Sequence, residues 1–163
     1  MRSPLVWMSP HTPEGRVLIE PGPLQVMDAH WQNRPDIPES GGILMGYRRG
    51  DHLHVTFATP PQATDTRKRY RFHRSSQPHQ MMALARWEES GGTVDYLGEW
   101  HTHPQAKPTP STVDYSEWQK IYRGRALPML FAVMGWSGDI WLGLSTSGQV
   151  AQCELCGSPD LGS

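Results

Sequence analysis

Hydrophobic and polar positions alternate, cluster and break along this chain in a way that predicts a mixed succession of strands and helices. An apolar run over 16–20 reads as a strand, and Pro21, Gly22 and Pro23 break it before a short helix from residue 24 to about 31. Pro35 and Pro38 end that helix. Apolar and β-branched residues over 42–48 and 52–58 flank Arg49, Gly50 and Asp51, the pattern of a hairpin. Over 68–74, Tyr70 and Phe72 alternate with Arg69, Arg71 and His73, which predicts another strand. Pro78 suits a first helical turn, and Met81, Leu84, Ala85 and Trp87 follow at helical spacing until Gly91 and Gly92 stop them. A strand over 93–100 runs into His101, Thr102, His103 and Pro104. A Pro-rich loop and a helix from 111 to about 123 come next, then a hairpin of 128–135 with 139–144, and a last strand over 149–155. Such an order is neither strict βαβ alternation nor all-β, so the expected class is α+β, a mixed sheet with helices packed on it. Residues 1–15 read as a loose, flexible N-terminal arm, 16–156 as a single domain and 157–163 as a C-terminal tail.

Composition narrows this picture. With 163 residues the chain fits one domain, and 16 Gly with 15 Pro favour turns over a helical bundle. Fifteen Lys and Arg against sixteen Asp and Glu give a net charge of −1, so no nucleic-acid partner is expected from the overall field. No apolar run is long enough for a membrane span and residues 1–13 lack a signal-peptide core, so a cytoplasmic location is expected. Cys153 and Cys156 form a single C-x-x-C with no partner pair, a weak metal pattern best read as free thiols.

The chemistry concentrates in His101-Thr102-His103-Pro104 and Ser111-Thr112-Val113-Asp114. Side chains at i and i+2 of an extended segment share a face, so His101 and His103 can offer two imidazole nitrogens to one ion. Asp114, in the first turn of the following helix, can supply a third ligand beside the positive end of the helix dipole. Two His and one Asp leave a fourth tetrahedral position for water, the arrangement of a catalytic zinc site. Glu39 precedes Gly41 and Gly42, which allow close backbone approach, and then an apolar strand; this places a carboxylate at the sheet rim as a candidate base. The Ser111 hydroxyl can donate to an oxyanion formed on a carbonyl.

Glu39, His101-Thr102-His103-Pro104, Ser111 and Asp114 resemble the glutamate and the H-[ST]-H-P-x6-S-x2-D signature of the JAMM (JAB1/MPN/Mov34) metalloproteases. The likeness extends over roughly 17–144 and looks like the small stand-alone bacterial branch, which includes the deconjugating peptidase of CBASS anti-phage operons. The resemblance implies a deaminase-like mixed sheet flanked by helices and a Zn2+ ion held by His101, His103 and Asp114. It also implies Glu39 as general base and acid and Ser111 as oxyanion donor. The implied reaction is hydrolysis of the bond after the C-terminal tail of a ubiquitin-like modifier or a conjugated cyclic-nucleotide synthase, with E1/E2-like operon proteins as partners. Processing of a sulfur-carrier or ubiquitin-like precursor would use identical residues. A zinc nucleoside deaminase is disfavoured because it resembles H-x-E followed by P-C-x-x-C, and an inactive scaffold is disfavoured because the ligand set is complete.

Other patterns have plainer readings. His52 and His54 repeat the H-x-H spacing with no carboxylate to follow and read as structural. Ser111 and Asp114 also make a capping box, a role compatible with chemistry. Glu99 shares the face of His101 and reads as a supporting or packed acid outside the catalytic set. The basic stretch 67–74 reads as a charged edge strand that flanks the groove, with Arg71 a substrate-binding candidate by strand addition. Trp87, Trp118, Trp136 and Trp141 read as packing residues, whereas Trp100, beside the ligands, is the candidate for substrate contact.

Overall fold

The computed structural model describes residues 2–30, 39–61, 66–68, 71–73 and 76–156. In chain order the elements are β1 (Leu5–Met8), β2 (Arg16–Ile19), α1 (Pro21–Asp28), β3 (Gly41–Arg49), β4 (His52–Ala58), β5 (Thr66–Lys68), β6 (Arg71–His73), α2 (Ser76–Glu89), β7 (Asp95–Thr102), α3 (Thr112–Tyr122), β8 (Leu130–Met134), β9 (Ile140–Ser145), β10 (Val150–Gln152) and β11 (Glu154–Leu155). A mixed sheet with three helices results, the expected α+β class. Nine strands pair in the order β10-β9-β8-β7-β3-β4-β2-β1-β11, and β5 pairs with β6 apart from them.

The two ends of this order are joined by a single residue. β10 pairs with β9 and β11 pairs with β1, yet only Cys153 lies between β10 and β11. The sheet therefore curls until its margins meet. Cys153 N–H donates to Leu142 O and Cys156 N–H to Val6 O, so the short segment satisfies backbone groups on both β9 and β1. The Cys153 side chain is buried in the seam, which pushes its thiol pKa up to about 12; both cysteines are free thiols. This closure corrects two expectations. Residues 5–8 of the expected loose arm form β1, a strand inside the sheet, with Trp7 only 2% exposed in the main core. The last strand is split in two, each half serving a different margin. Residues 157–163, the expected tail, lie outside the described residues.

One sheet face packs Leu44, Leu97, Trp100, Leu130, Ala132, Met134 and Leu142 against α1 and the strands beyond. The opposite face carries α3 over Phe131, Val133 and Trp141, and α2 beside Ile43, Met45 and Phe57. The inner line of α2 is His79 and Ala83, four residues apart on one helical face. Met81, Leu84 and Trp87, the apolar residues at helical spacing, are 65%, 55% and 46% exposed, so the expected packing role of Trp87 is corrected. Trp136 is exposed as well, in the turn between β8 and β9, whereas Trp118 and Trp141 are buried as expected. In place of the single strand expected over 68–74, Lys68 ends β5 and Arg71–His73 form β6, which pairs antiparallel with it. None of the described helices is long and apolar enough to cross a membrane.

Close approach between β7 and its parallel neighbour β8 depends on Gly98, where a Cβ would overlap the Leu130 backbone. Replacing Gly98 with Ala should cost about 1–3 kcal/mol through overpacking. The expected result is a lower thermal midpoint and a smaller free energy of unfolding in urea.

Candidate metal centre

The site sits where β7 ends and the crossover to β8 begins. His101 is the penultimate residue of β7, opposite Gly41 on β3 and Val133 on β8. His103 follows in extended backbone because its N–H donates to Met134 O at 3.0 Å. Between them Thr102 points to the other face, fully buried, and its hydroxyl accepts from Ser40 N–H at 2.9 Å; Thr102 N–H donates to Ser40 O at 2.8 Å. These two bonds fix the backbone next to Glu39, whose side chain is only 4% exposed.

The return loop and α3 bring the third group. Ser111 caps α3: its hydroxyl accepts from Asp114 N–H at 3.1 Å, and Ser111 N–H donates to Asp114 Oδ2 at 2.8 Å. This reciprocal pair fixes the rotamer of Asp114 and aims its carboxylate at the histidines. The helix is held by aromatic stacking, with Trp118 at 4.9 Å from Phe131 and 5.6 Å from Trp141 between ring centroids, and Tyr115 edge-on to both tryptophans.

Three donor groups consequently converge. His101 Nε2 and His103 Nε2 stand 3.0 Å apart, Asp114 Oδ1 is 3.3 Å from the first and Oδ2 is 3.1 Å from the second. Ligand atoms at the corners of a tetrahedron around zinc, with bonds of about 2.0–2.1 Å, are separated by about 3.3 Å. The spacing and the donor chemistry therefore fit such an ion. Glu39 completes the cluster, with a carboxylate oxygen and the two imidazole nitrogens all within 4.8 Å of one another. His103 Nδ1 lies 3.4 Å from Gln105 Oε1, which also accepts from Thr109 N–H at 3.2 Å. An amide oxygen there favours the proton on Nδ1 and leaves the Nε2 lone pair facing the centre.

Charge follows from this geometry. Burial tends to lower the His103 pKa, but the bond and charge of Asp114, the charge of Glu39 and the bond to Gln105 outweigh it and raise the pKa. Burial tends to raise the Asp114 pKa, yet hydrogen bonds from His101 and His103, the charge of His101 and the Ser111 N–H hold it well below the usual carboxylate range. The site is thus a concentrated negative pocket that attracts protons or cations.

Glu39, His101, His103, Ser111 and Asp114, separated by up to 75 positions in the chain, meet here. Trp100 does not join them. Alternation along β7 turns it to the opposite face, where it is 1% exposed and its indole N–H donates to Thr59 O at 3.0 Å, so the expected substrate contact is corrected to a core role. The side chain of Arg71 lies outside the described residues. Glu99 accepts from the Tyr96 hydroxyl at 3.4 Å, a packed acid. His52 and His54 have separate partners: Arg16 N–H donates to the first and the second donates to Glu20 at 2.7 Å. Sequence reasoning missed Gln105 and the Ser40–Thr102 pair. Thr102 carried a signal, since a residue between two same-face ligands must point inward and a buried hydroxyl needs a partner.

These shifts give the metal-free protein a distinct pH profile. The raised His103 pKa stabilises the fold fully below the unfolded value of 6.5, and that contribution fades as pH rises through the folded value. The depressed Asp114 pKa contributes above the unfolded value of 3.8 and is lost as pH falls towards the folded value. In chelator, the thermal midpoint of wild type minus that of Asp114→Asn should be largest between about pH 4 and 6.5 and shrink towards pH 8.5. A flat difference over pH 5–8.5 contradicts the pairing.

Residues 24–142 match the family described as prokaryotic homologs of the JAB domain. A "CD-NTase/cGAS isopeptidase" of Pseudomonas aeruginosa is 42% identical over 114 residues, 69% of this chain and 72% of the relative. Proteins with the same name from Vibrio cholerae and Escherichia coli are 43% and 35% identical, covering 65% and 80% of this chain and 67% and 82% of theirs. The solution structure of protein DSY2949 from Desulfitobacterium hafniense superposes with a TM-score of 0.58 at 22% identity, over 83% of this chain and 88% of that one, a likeness of fold. With most of the sheet, the crossover helix and the whole His101–Asp114 segment inside the matched region, this chain belongs to the prokaryotic JAB-domain family.

Proposed function

We propose that this protein is a zinc-dependent isopeptidase that hydrolyses the amide joining the C-terminal tail of a conjugated CD-NTase, or of a ubiquitin-like modifier, to a target amine. The observation that carries this reading is the convergence of His101, His103 and Asp114 at tetrahedral ligand spacing with Glu39 beside them. The name shared by the bacterial relatives supports the substrate class. Membership of an anti-phage operon and action in the cytoplasm belong to the same proposal.

His101, His103 and Asp114 would hold the ion, and zinc when bound supplies the Lewis acidity that makes a water nucleophilic near neutral pH. Glu39 stands within 4.8 Å of both histidine nitrogens, near enough to take a proton from a water at the centre. The same carboxyl then delivers a proton to the departing amine as the C–N bond breaks. One water is consumed, and a free carboxylate and a free amine result. The Ser111 hydroxyl accepts the capping bond from Asp114 N–H, so its own proton is available to the oxyanion on the attacked carbonyl.

The tail needs an extended track. The β5–β6 pair, which carries Arg71, stands apart from the large sheet among the described residues, and an extended tail would add to its edge. This supports the strand-addition reading for the basic segment.

The direct test is a conjugate in which the C-terminal carboxyl of a CD-NTase is joined to a lysine amine. Cleavage should release both partners, stop in chelator and return with zinc. Intact conjugate after incubation with zinc-loaded protein would sink the proposal. Glu39→Ala should lower kcat by about 100-fold or more while zinc stays bound. His103→Ala should lose the metal, measured by atomic emission, and Ser111→Ala should lower kcat by about 100- to 1000-fold with zinc retained.

A further inference from the structure

Two buried polar side chains outside the metal centre form a link from α2 to the strand that carries Glu39. His79 on α2 and Thr59 just after β4 are both fully buried, and Thr59 Oγ1 lies 2.7 Å from His79 Nδ1. The same oxygen accepts from Ile43 N–H at 2.9 Å, while Thr59 N–H donates to Ile43 O at 3.0 Å and Thr59 O accepts from the Trp100 indole at 3.0 Å. One threonine thus joins α2, β3 and β7 through four hydrogen bonds.

The position of this junction gives it meaning. Gly41 and Gly42 pair with His101 and Trp100, so the junction lies one or two residues from the first histidine and four from Glu39. On its β7 side the glutamate segment is held by Ser40 and Thr102; on its β4 side it is held by Thr59. Gly42 allows this grip, because a Cβ there would collide with Thr59 O and Oγ1 and with the Trp100 nitrogen. A hydroxyl that already accepts from Ile43 N–H still has its own proton to offer, and His79 Nδ1 stands at hydrogen-bond distance from it.

We propose that Thr59, oriented by His79, is a positioning residue that holds the Glu39 carboxylate at working distance from the metal centre. The hydrogen-bond partners of Thr59 are Ile43, Trp100 and His79, so the effect is on proton transfer and not on metal affinity. The proposal rests on the isopeptidase reading above.

Thr59→Val keeps the shape and removes the hydroxyl. It should lower kcat about 10- to 100-fold, as loss of an outer supporting hydrogen bond does. KM should stay within about twofold and zinc at wild-type stoichiometry, and Thr59→Ser should restore most of kcat. Hydrogen exchange should quicken at the Ile43 amide in the valine variant while amides of β8 keep their protection. His79→Leu leaves both backbone bonds of Thr59 in place and serves if the valine variant does not fold; it should show the same kcat-selective loss. The double variant should be no worse than Thr59→Val, since one path is broken twice. Wild-type kcat in Thr59→Val or His79→Leu, zinc loss in either, or failure of serine to rescue would overturn the proposal. If wild type cleaves and Glu39→Ala does not, such a result counts against Thr59 alone; if wild type itself is inert, the isopeptidase reading has failed instead.

Discussion

Two imidazole lone pairs and a carboxylate, all electron-rich, are held about 3 Å from one another in a largely buried site, and the rest of the molecule is organised to keep them there. Left to themselves such groups would separate or take up protons, because burying unpaired negative charge is costly. The raised His103 pKa and the depressed Asp114 pKa record that tension. A divalent cation relieves it better than a proton does, since one ion can satisfy all three donors at once.

Rigidity comes from different sources on the two sides of the site. The histidines lie on and just beyond a central strand between β3 and β8, so backbone ladders fix them. Asp114 lies on a helix that a stack of aromatic rings presses onto the sheet, and its rotamer is set by the cap it makes with Ser111. The capping box is therefore no competitor of the metal role. Helix start and ligand orientation are one arrangement, with the positive helix terminus behind the carboxylate.

Curling of the sheet serves the same end. The segment around Cys153 pairs with both margins, which ties the first strand and the last hairpin into one core beneath the site. Among the described residues the buried polar groups are few: Glu39, Ser40, His101, Thr102 and His103 lie at the centre, Thr59 after β4 pairs with His79 on α2, and Ser145 accepts from Met129 N–H. A buried hydroxyl or imidazole is tolerated only with partners, so these side chains restrict the backbone to one arrangement around Glu39.

By itself the sequence determined the family, the candidate ligand set and most of the element order. The i, i+2 histidines, the proline that turns the chain and the Ser-x-x-Asp helix start are local patterns whose geometry follows from strand pleat and helix capping, and the Gly pair after Glu39 marked a close backbone approach. Tertiary structure alone decided which way α2 faces, because a polar residue, His79, holds the inward line and the apolar stripe of Met81, Leu84 and Trp87 is turned out. It alone decided that residues 5–8 close the sheet with residues 154–155, that Trp100 is sealed in the core, and that Gln105 steers His103. Such pairings join residues far apart in the chain or on irregular loops, where no periodicity announces a partner, and they are set by which surfaces the whole fold brings into contact.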